Sequence, residues 1–279
     1  MIWKARERIA SFDRTLLSGI VNVTPDSFSD GGKYLDPAKA LQHALELLAD
    51  GADMLDLGAE STRPGSKSTS AAEEIKRLLP VLRQIRKQTD GIISIDTTKA
   101  EVAKRCLDEG ADAINDTSNL RVSGKKMVAA VKSFKAGLIL MHSRGTPETM
   151  REMTEYQDLS SEVLKEIAGS VEMALKGGVE RERIMIDPGL GFAKNTEQNI
   201  AILRDLKPFL MTGYPVMVGP SRKSFIGAIT GRDACDRDFG TAACVASCAM
   251  QGIHVLRIHH VRGMRDVIKV TEAIKTNNQ

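Results

Sequence analysis

Short apolar segments that end abruptly in polar residues recur along this chain. The first covers residues 16–23, is rich in β-branched side chains, and stops at Thr24-Pro25-Asp26, where proline cannot donate to a strand ladder. Nearly continuous apolar character is typical of a strand that is buried on both faces. The same change follows residues 53–58, 92–96, 113–115, 138–141, 184–187, 216–219 and 255–258. The pattern predicts about eight strands.

Helical spacing fills the intervals between these segments. Apolar residues fall at i, i+3, i+4 and i+7 in the first interval, at Leu41, Ala44, Leu45 and Leu48. The next interval continues this spacing with Ile75, Leu78, Leu79, Leu82 and Ile85. A left-handed C-terminal residue is expected at the glycines that follow the first, third and fifth predicted helices, Gly51, Gly110 and Gly177-Gly178. Alternating strands and helices predict an α/β fold, a TIM (β/α)₈ barrel with a short N-terminal extension.

Length and charge limit the class of protein. The 279 residues match one such barrel, and 42% apolar residues can fill its core, so residues 1–279 are predicted to form a single domain. A net charge of +3 from 39 basic and 36 acidic residues, with no dense basic tract, predicts no nucleic-acid partner. Residues 1–8 lack the apolar core of a signal peptide and no run approaches a membrane span, which predicts a cytoplasmic protein without a membrane partner.

The cysteines do not indicate a metal site. The four residues, Cys106, Cys235, Cys244 and Cys248, fit neither a paired-thiol motif nor a zinc-binding spacing. We expect small buried thiols rather than ligands or a disulfide.

Polar residues end four of the predicted strands, at Asn22, Asp96, Asn115 and Asp187. In a barrel these strand ends converge on the axis. Carboxylates and amides together offer donors and acceptors that suit a flat heterocycle. A single aspartate here could instead cap the next helix, but capping does not explain four polar strand ends.

Cationic residues form a second group at the strand ends, comprising Arg63, Lys223, Arg257 and His259. Positive charge on several sides of one mouth suits a diphosphate and a carboxylate. The segment 221–224, SRKS, also opens a predicted helix, whose backbone N–H groups favour anions. Arg257 lies inside an apolar strand, which distinguishes it from an ordinary solvated arginine.

Seven motifs in order resemble bacterial dihydropteroate synthase over nearly the whole chain. They are NVTPDSFSDGG at 22–32, ESTRPG at 60–65, ND at 115–116, MH at 141–142, DPGLGF at 187–192, SRKS at 221–224 and RIH at 257–259. The resemblance implies a TIM barrel that joins 4-aminobenzoate to 6-hydroxymethyl-7,8-dihydropterin diphosphate and releases pyrophosphate, in folate synthesis. It also implies a Mg²⁺ cofactor and a homodimer formed by late helices.

The resemblance assigns roles by position. The pterin is expected at Asp96, Asn115, Asp187, Lys223 and Arg257. The diphosphate is expected at Thr62, Arg63, Arg257 and His259, and the Mg²⁺ contact at Asn22. The 4-aminobenzoate pocket is expected at Phe28, Pro64, Phe192 and Ser224. The catalytic set implied in this way is Asp30, Lys223, Arg257 and His259.

The chemistry of this reaction agrees with the residue types. Breaking the C–O bond builds negative charge on pyrophosphate and positive charge on the pterin methylene. Mg²⁺ with the arginine and histidine group can stabilise the first charge, and an acid such as Asp30 the second. An aromatic amine already carries its lone pair, so we expect no strong general base and no Ser-His-Asp triad.

The chain departs from the family pattern at three positions, and two alternatives remain. His260 follows His259 where the family usually has aspartate, and Ala59 and Ala193 replace frequent glycines.

A methyltetrahydrofolate methyltransferase would use a similar barrel, but it has no pyrophosphate to hold. A non-catalytic pterin-binding protein would not need the cationic set. No extra residues follow Phe192 in the segment 191–195, so we expect sulfonamides to compete with 4-aminobenzoate.

Overall fold

The computed structural model describes residues 1–24, 37–61, 66 and 68–276. Within them, eight parallel strands form one sheet in the order β8-β7-β6-β5-β4-β3-β10-β9, and a parallel bridge between Ile186 and Val216 joins its two ends. This closure makes the predicted barrel, and the α/β fold class is confirmed. The strands are β3 (Leu16–Asn22), β4 (Met54–Gly58), β5 (Ile92–Asp96), β6 (Ala113–Asp116), β7 (Gly137–Met141), β8 (Ile184–Asp187), β9 (Met217–Val218) and β10 (Val255–Ile258).

Helices cover the outside of this barrel. They are α1 (Pro37–Ala49), α2 (Ala71–Arg86), α3 (Ala100–Asp108), α4 (Gly124–Ser133), α5 (Leu159–Lys176), α6 (Thr196–Arg204), α7 (Lys207–Leu210), α8 (Ser224–Thr230), α9 (Asp238–Met250) and α10 (Val261–Thr276). Local signals fix their starts: the Ser70 side chain caps α2, and Asn195 with Gln198 forms a capping box on α6. None of the helices in the described ranges is long and apolar enough to cross a bilayer.

An antiparallel hairpin closes the bottom of the barrel. It pairs β1 (Ile2–Ala5) with β2 (Arg8–Ser11). Trp3 is fully buried, and its Nε1 donates to the carbonyl of Arg183 at 2.9 Å. Its ring approaches Gly137 so closely that an added Cβ there would lie 2.5 Å from it. The extension predicted from the sequence is therefore a plug that excludes water from the lower core.

The predicted strand ends are accurate to within one or two residues, with β9 the shortest. The strand itself is limited to Met217 and Val218, which pair with β10, because prolines at 215 and 220 flank this segment and cannot donate to the ladder. The single-domain assignment of residues 1–279 stays a prediction.

The buried face of α1 is rotated slightly from the face that the sequence predicts. Its buried residues are Ala40, Ala44 and Leu47, whereas Leu45 is only partly covered. In α2 the predicted stripe is confirmed, because Leu78, Leu79, Leu82 and Ile85 are buried and Ile75 packs against them. The expected left-handed glycines are confirmed at Gly51, Gly110 and Gly178.

The prediction of buried thiols is wrong for one cysteine. Cys106 and Cys248 are buried and Cys244 is partly buried, but Cys235 is exposed. It lies in a surface 3₁₀ turn, Ala234–Asp236, where no neighbouring element covers it. Burial raises the pKa of the Cys106 thiol to about 12, so that cysteine is an inert packing residue.

Candidate active site

Arg257 lies at the centre of the upper barrel and binds two acids from other strands. Its Nε donates to Asp56 Oδ2 at 2.5 Å, and its Nη2 donates to Asp96 Oδ2 at 3.0 Å. Both acids are buried. Burial raises the pKa of Asp96 to about 7, even though the Arg257 charge opposes that shift. One guanidinium thus pairs with two buried carboxylates, so the negative charge of Asp96 is only partly balanced.

Asp56 is the main functional residue that the sequence analysis missed. It lies inside β4, is fully buried, and accepts from Ser94 Oγ at 2.5 Å. Asn115 Nδ2 also donates to Asp56 Oδ2, at 3.1 Å. A single acid within the apolar strand Met54–Gly58 was the available signal, because a buried charge requires partners.

Asn115 presents an unused acceptor beside this cluster. Its Oδ1 is buried and receives no hydrogen bond from any residue in the described ranges. Most buried polar atoms are paired, so an unpaired carbonyl oxygen among paired neighbours indicates that a bound ligand donates a hydrogen bond to it. Asn115 is therefore suited to accept from an N–H group of a heterocycle.

Asp187 and Lys223 complete the predicted deep set. Asp187 Oδ1 accepts from the Gly189 amide at 2.7 Å. Burial raises the pKa of Asp187 to about 6, against the Gly189 hydrogen bond and the Lys223 charge. Burial, followed by repulsion from Arg257, lowers the pKa of Lys223 to about 8. Asp96, Asp187, Lys223 and Arg257 therefore lie close enough for their charges to shift one another's pKa.

Phe192 and Ser224 lie on either side of Lys223. The Lys223 Nζ is 4.4 Å from the centroid of the Phe192 ring, which is a cation–π contact. Ser224 is exposed at the first position of α8, directly after Lys223. The structure thus places these two predicted 4-aminobenzoate residues beside Lys223.

Ser221 holds His259 at the end of β10. The His259 amide donates to Ser221 Oγ at 3.2 Å, and the same hydroxyl lies 2.9 Å from His259 Nδ1. His260 instead faces the outside, where its Nδ1 lies 3.3 Å from Asp238 Oδ2. Arg222 donates to the same carboxylate at 2.8 and 3.0 Å. Asp238 thus supplies an acid close to the position where the family usually carries one.

Asn22 is half-buried at the end of β3, near His259. Both residues line a cavity of about 390 Å³ together with Arg222 and His260. A larger groove of about 850 Å³ runs between α4 and α5, outside the barrel, and contains none of the predicted site residues among its described lining. We therefore place the site at the strand ends. Five predicted residues, Phe28, Asp30, Thr62, Arg63 and Pro64, lie outside the described residues.

Comparisons with known proteins identify the family of this chain. The family model described as pterin binding enzyme matches residues 18–259, which include Asn22 and His259. Dihydropteroate synthase from Synechocystis is 43% identical over 94% of this chain and 90% of its own length. The chain belongs to the dihydropteroate synthase family.

Two solved structures of the family extend this result to the fold. The Yersinia pestis synthase, solved with a sulfonamide drug, has a TM-score of 0.94 and 34% identity, covering 99% of this chain and 100% of that one. The Xanthomonas albilineans synthase, solved with 4-aminobenzoic acid, has a TM-score of 0.91 and 37% identity, covering 98% of each chain. Family membership over this length favours the synthase over the methyltransferase and the non-catalytic alternative.

Proposed function

We propose that this chain condenses 6-hydroxymethyl-7,8-dihydropterin diphosphate with 4-aminobenzoate to give 7,8-dihydropteroate and pyrophosphate. The observation that carries the proposal is the buried set around Arg257, in which Asn115 Oδ1 has no described partner and Asp56 and Asp96 share one cation. Such a set recognises a flat ring with several N–H groups.

The deep acids bind the pterin and Lys223 balances their charge. Asp96, Asn115 and Asp187 offer acceptors to the ring N–H groups, and Lys223 offers donors to its ring oxygen or nitrogen. Because burial raises the pKa of both Asp96 and Asp187, these acids are held close to their protonation equilibria. A bound ring that donates to them stabilises their charged forms.

Arg257 and His259 contact the diphosphate, which is the leaving group of the proposed reaction. They are two residues apart on the end of β10, and Arg257 is anchored by acids while His259 is anchored by Ser221. Positive charge held in place stabilises the negative charge that develops on pyrophosphate without reorganising during the reaction. Phe192, Ser224 and Lys223 hold the aromatic amine, whose lone pair attacks the methylene carbon.

The proposed Mg²⁺ is shared between Asn22 and the substrate. Among the described residues, no group of three or more His, Cys, Asp or Glu side chains could hold a metal ion. A half-buried amide at a strand end fits one ligand of an ion whose other ligands are diphosphate oxygens and water. When bound there, Mg²⁺ would neutralise charge on the leaving pyrophosphate.

We also propose a homodimer through α9. Phe239 is 94% exposed, and Ala243 and Met250 lie on the same side of this helix, at i+4 and i+11. An apolar stripe on the outer face of an already apolar helix is suited to a second copy of the chain.

The proposed compartment is the cytoplasm, where a diphosphate substrate is retained and unpaired cysteines persist.

Pyrophosphate release tests the proposed activity. Release is expected only when pterin diphosphate and 4-aminobenzoate are both present with Mg²⁺. The Lys223→Ala variant should release little, whereas Lys126→Ala, which changes an exposed lysine on α4, should match the wild type. No release from the wild type would refute the proposed activity.

A further inference from the structure

Lys194 is a buried lysine to which the proposed mechanism assigns no role. It lies at the end of the loop between β8 and α6 and is 7% exposed. Its Nζ donates to the carbonyl of Gly189 at 3.1 Å and to the carbonyl of Phe192 at 3.0 Å. The third neighbour is His142 Nδ1, at 2.9 Å. An ammonium has three N–H groups, so this site satisfies all of them.

The direction of the hydrogen bonds to His142 follows from the groups on either side of its ring. Burial lowers the pKa of Lys194 to about 7, but the Glu166 carboxylate on the other side of the ring can only accept, which places the imidazole proton on Nε2 and makes His142 Nδ1 the acceptor of a Lys194 N–H. The Nε2 lies 3.0 Å from Glu166 Oε2, and Arg144 donates to the other oxygen of Glu166 at 2.9 Å. Burial lowers the pKa of His142 to about 4, which agrees with a neutral ring. A chain of contacts therefore runs from α5 to the loop.

The loop needs this support because its backbone is bent repeatedly. Gly189 and Gly191 have φ of 69° and 78°, and Ala193, at a position where the family often has glycine, has φ of 48°. A side chain in this region costs roughly 1–2 kcal/mol. The Ala193 carbonyl accepts from Tyr156 Oη at 2.9 Å, and the Gly191 amide donates to Asn199 Oδ1 at 2.7 Å.

Phe192 is the functional side chain carried by this loop. Lys194 binds the Phe192 carbonyl directly, and the Phe192 ring faces Lys223. Moving this carbonyl would move the ring away from the pocket edge. Asp187 is the last residue of β8, so the strand holds its backbone, although its side chain accepts from the amide of Gly189, whose carbonyl Lys194 binds.

We propose that Lys194 is a positioning residue for 4-aminobenzoate, which holds Phe192 in place through its bonds to the two carbonyls and to His142. The proposal rests on the proposed function. The loss of Lys194 should separate the two substrates, because it weakens the site for the aromatic amine more than the deep pterin site. Phe192 lies in the loop that Lys194 holds, whereas Asp96 and Asn115 lie on other strands and, of the deep acids, only Asp187 borders this loop.

Steady-state kinetics of Lys194→Met test this separation. Methionine has a similar length but donates no hydrogen bond, so the two carbonyls and His142 lose their partner. We expect the KM for 4-aminobenzoate to rise by roughly tenfold or more, with the KM for the pterin diphosphate changed less than about threefold. A merely structural lysine would change both together or only the melting temperature.

A second variant keeps the test decisive if Lys194→Met does not fold. Glu166→Gln removes the charge that faces His142 Nε2 while retaining an acceptor, and Glu166 is half-exposed on α5. It should raise the same KM by a few fold, and its matched control Glu172→Gln, exposed on the same helix, should not. An unchanged KM for 4-aminobenzoate in an active, folded Lys194→Met or Glu166→Gln enzyme would overturn the proposal. An inactive wild type would instead overturn the proposed function.

Discussion

Arg257 and Asp56 meet across the barrel although 201 positions separate them in sequence, with Nε donating to Oδ2 at 2.5 Å. The contact fixes the guanidinium so that Nη2 reaches Asp96. Arg257 therefore has two proposed tasks, since it compensates two buried acids and also lies at the mouth where we propose that the diphosphate binds. Substitutions in this cluster should affect stability and turnover in different proportions.

Lys223→Ala is expected to remove most turnover from a folded barrel. Losing one partner of partly desolvated charges costs on the order of 2–5 kcal/mol in binding, which is a fall of at least tenfold in kcat/KM. Arg257→Ala should lower turnover similarly, but it should also lower the unfolding free energy by about 3–5 kcal/mol, because Asp56 and Asp96 lose their cation.

Urea unfolding and kinetics on the same samples separate these two effects. Asp90→Asn changes an acid on the surface and serves as the control for both measurements. Near wild-type kcat/KM in Lys223→Ala or Arg257→Ala would show that the assignment of that residue is wrong.

The stability of the protein should fall as the pH rises and the buried Asp96 loses its proton. Burial raises the folded-state pKa of Asp96 from 3.8 to about 7, so the unfolded chain releases this proton at lower pH than the folded chain. The stabilising contribution is complete below about pH 4 and is lost as the pH rises toward 7. Asp96→Asn should therefore become more stable relative to the wild type across this range. Denaturation midpoints of the wild type and of Asp96→Asn at several pH values measure the difference in stability. A difference that does not change with pH would contradict the prediction.

The sequence predicted the strands and every residue of the deep cluster except Asp56, for one physical reason. Strand ends converge in a barrel, so Asp96, Asn115 and Asp187 could be placed together without knowing their contacts. Asp56 lies inside its strand, and it meets Arg257 only because β10, the last strand of the chain, pairs with β3 beside β4. The N-terminal extension was predicted, but its β1–β2 hairpin was not, because Arg6, Glu7 and Arg8 interrupt a short apolar pattern.

Lys194 shows a different limit of sequence analysis. Its partners are backbone carbonyls, which every residue carries, and they meet Nζ only because Gly189 and Gly191 bend the loop. No pattern of side chains encodes that meeting.

Magnesium should bind weakly to the free protein and tightly only with the pterin diphosphate. Asn22 supplies one oxygen, whereas the diphosphate supplies most of the charge that holds the ion. Isothermal titration with Mg²⁺, with and without the substrate, compares the two states. Asn22→Ala should weaken the ternary complex, and tight binding of Mg²⁺ to the protein alone would contradict this shared site.

Sulfonamides should compete with 4-aminobenzoate. An aryl amine with an acidic para group copies the shape and charge of the substrate, and Phe192 with Lys223 forms the same pocket edge for both. Raising 4-aminobenzoate should reverse the inhibition fully in steady-state assays. Inhibition that is unaffected by 4-aminobenzoate, or no inhibition at all, would exclude a shared pocket.

Product analysis with isotopically labelled 4-aminobenzoate tests the central claim most directly. Mass spectrometry should detect the intact label in 7,8-dihydropteroate, formed in equal amounts with pyrophosphate by the wild type and strongly reduced in Lys223→Ala. Pyrophosphate released without labelled dihydropteroate would mean that water, not the aromatic amine, attacks the methylene carbon, and would contradict the proposed condensation.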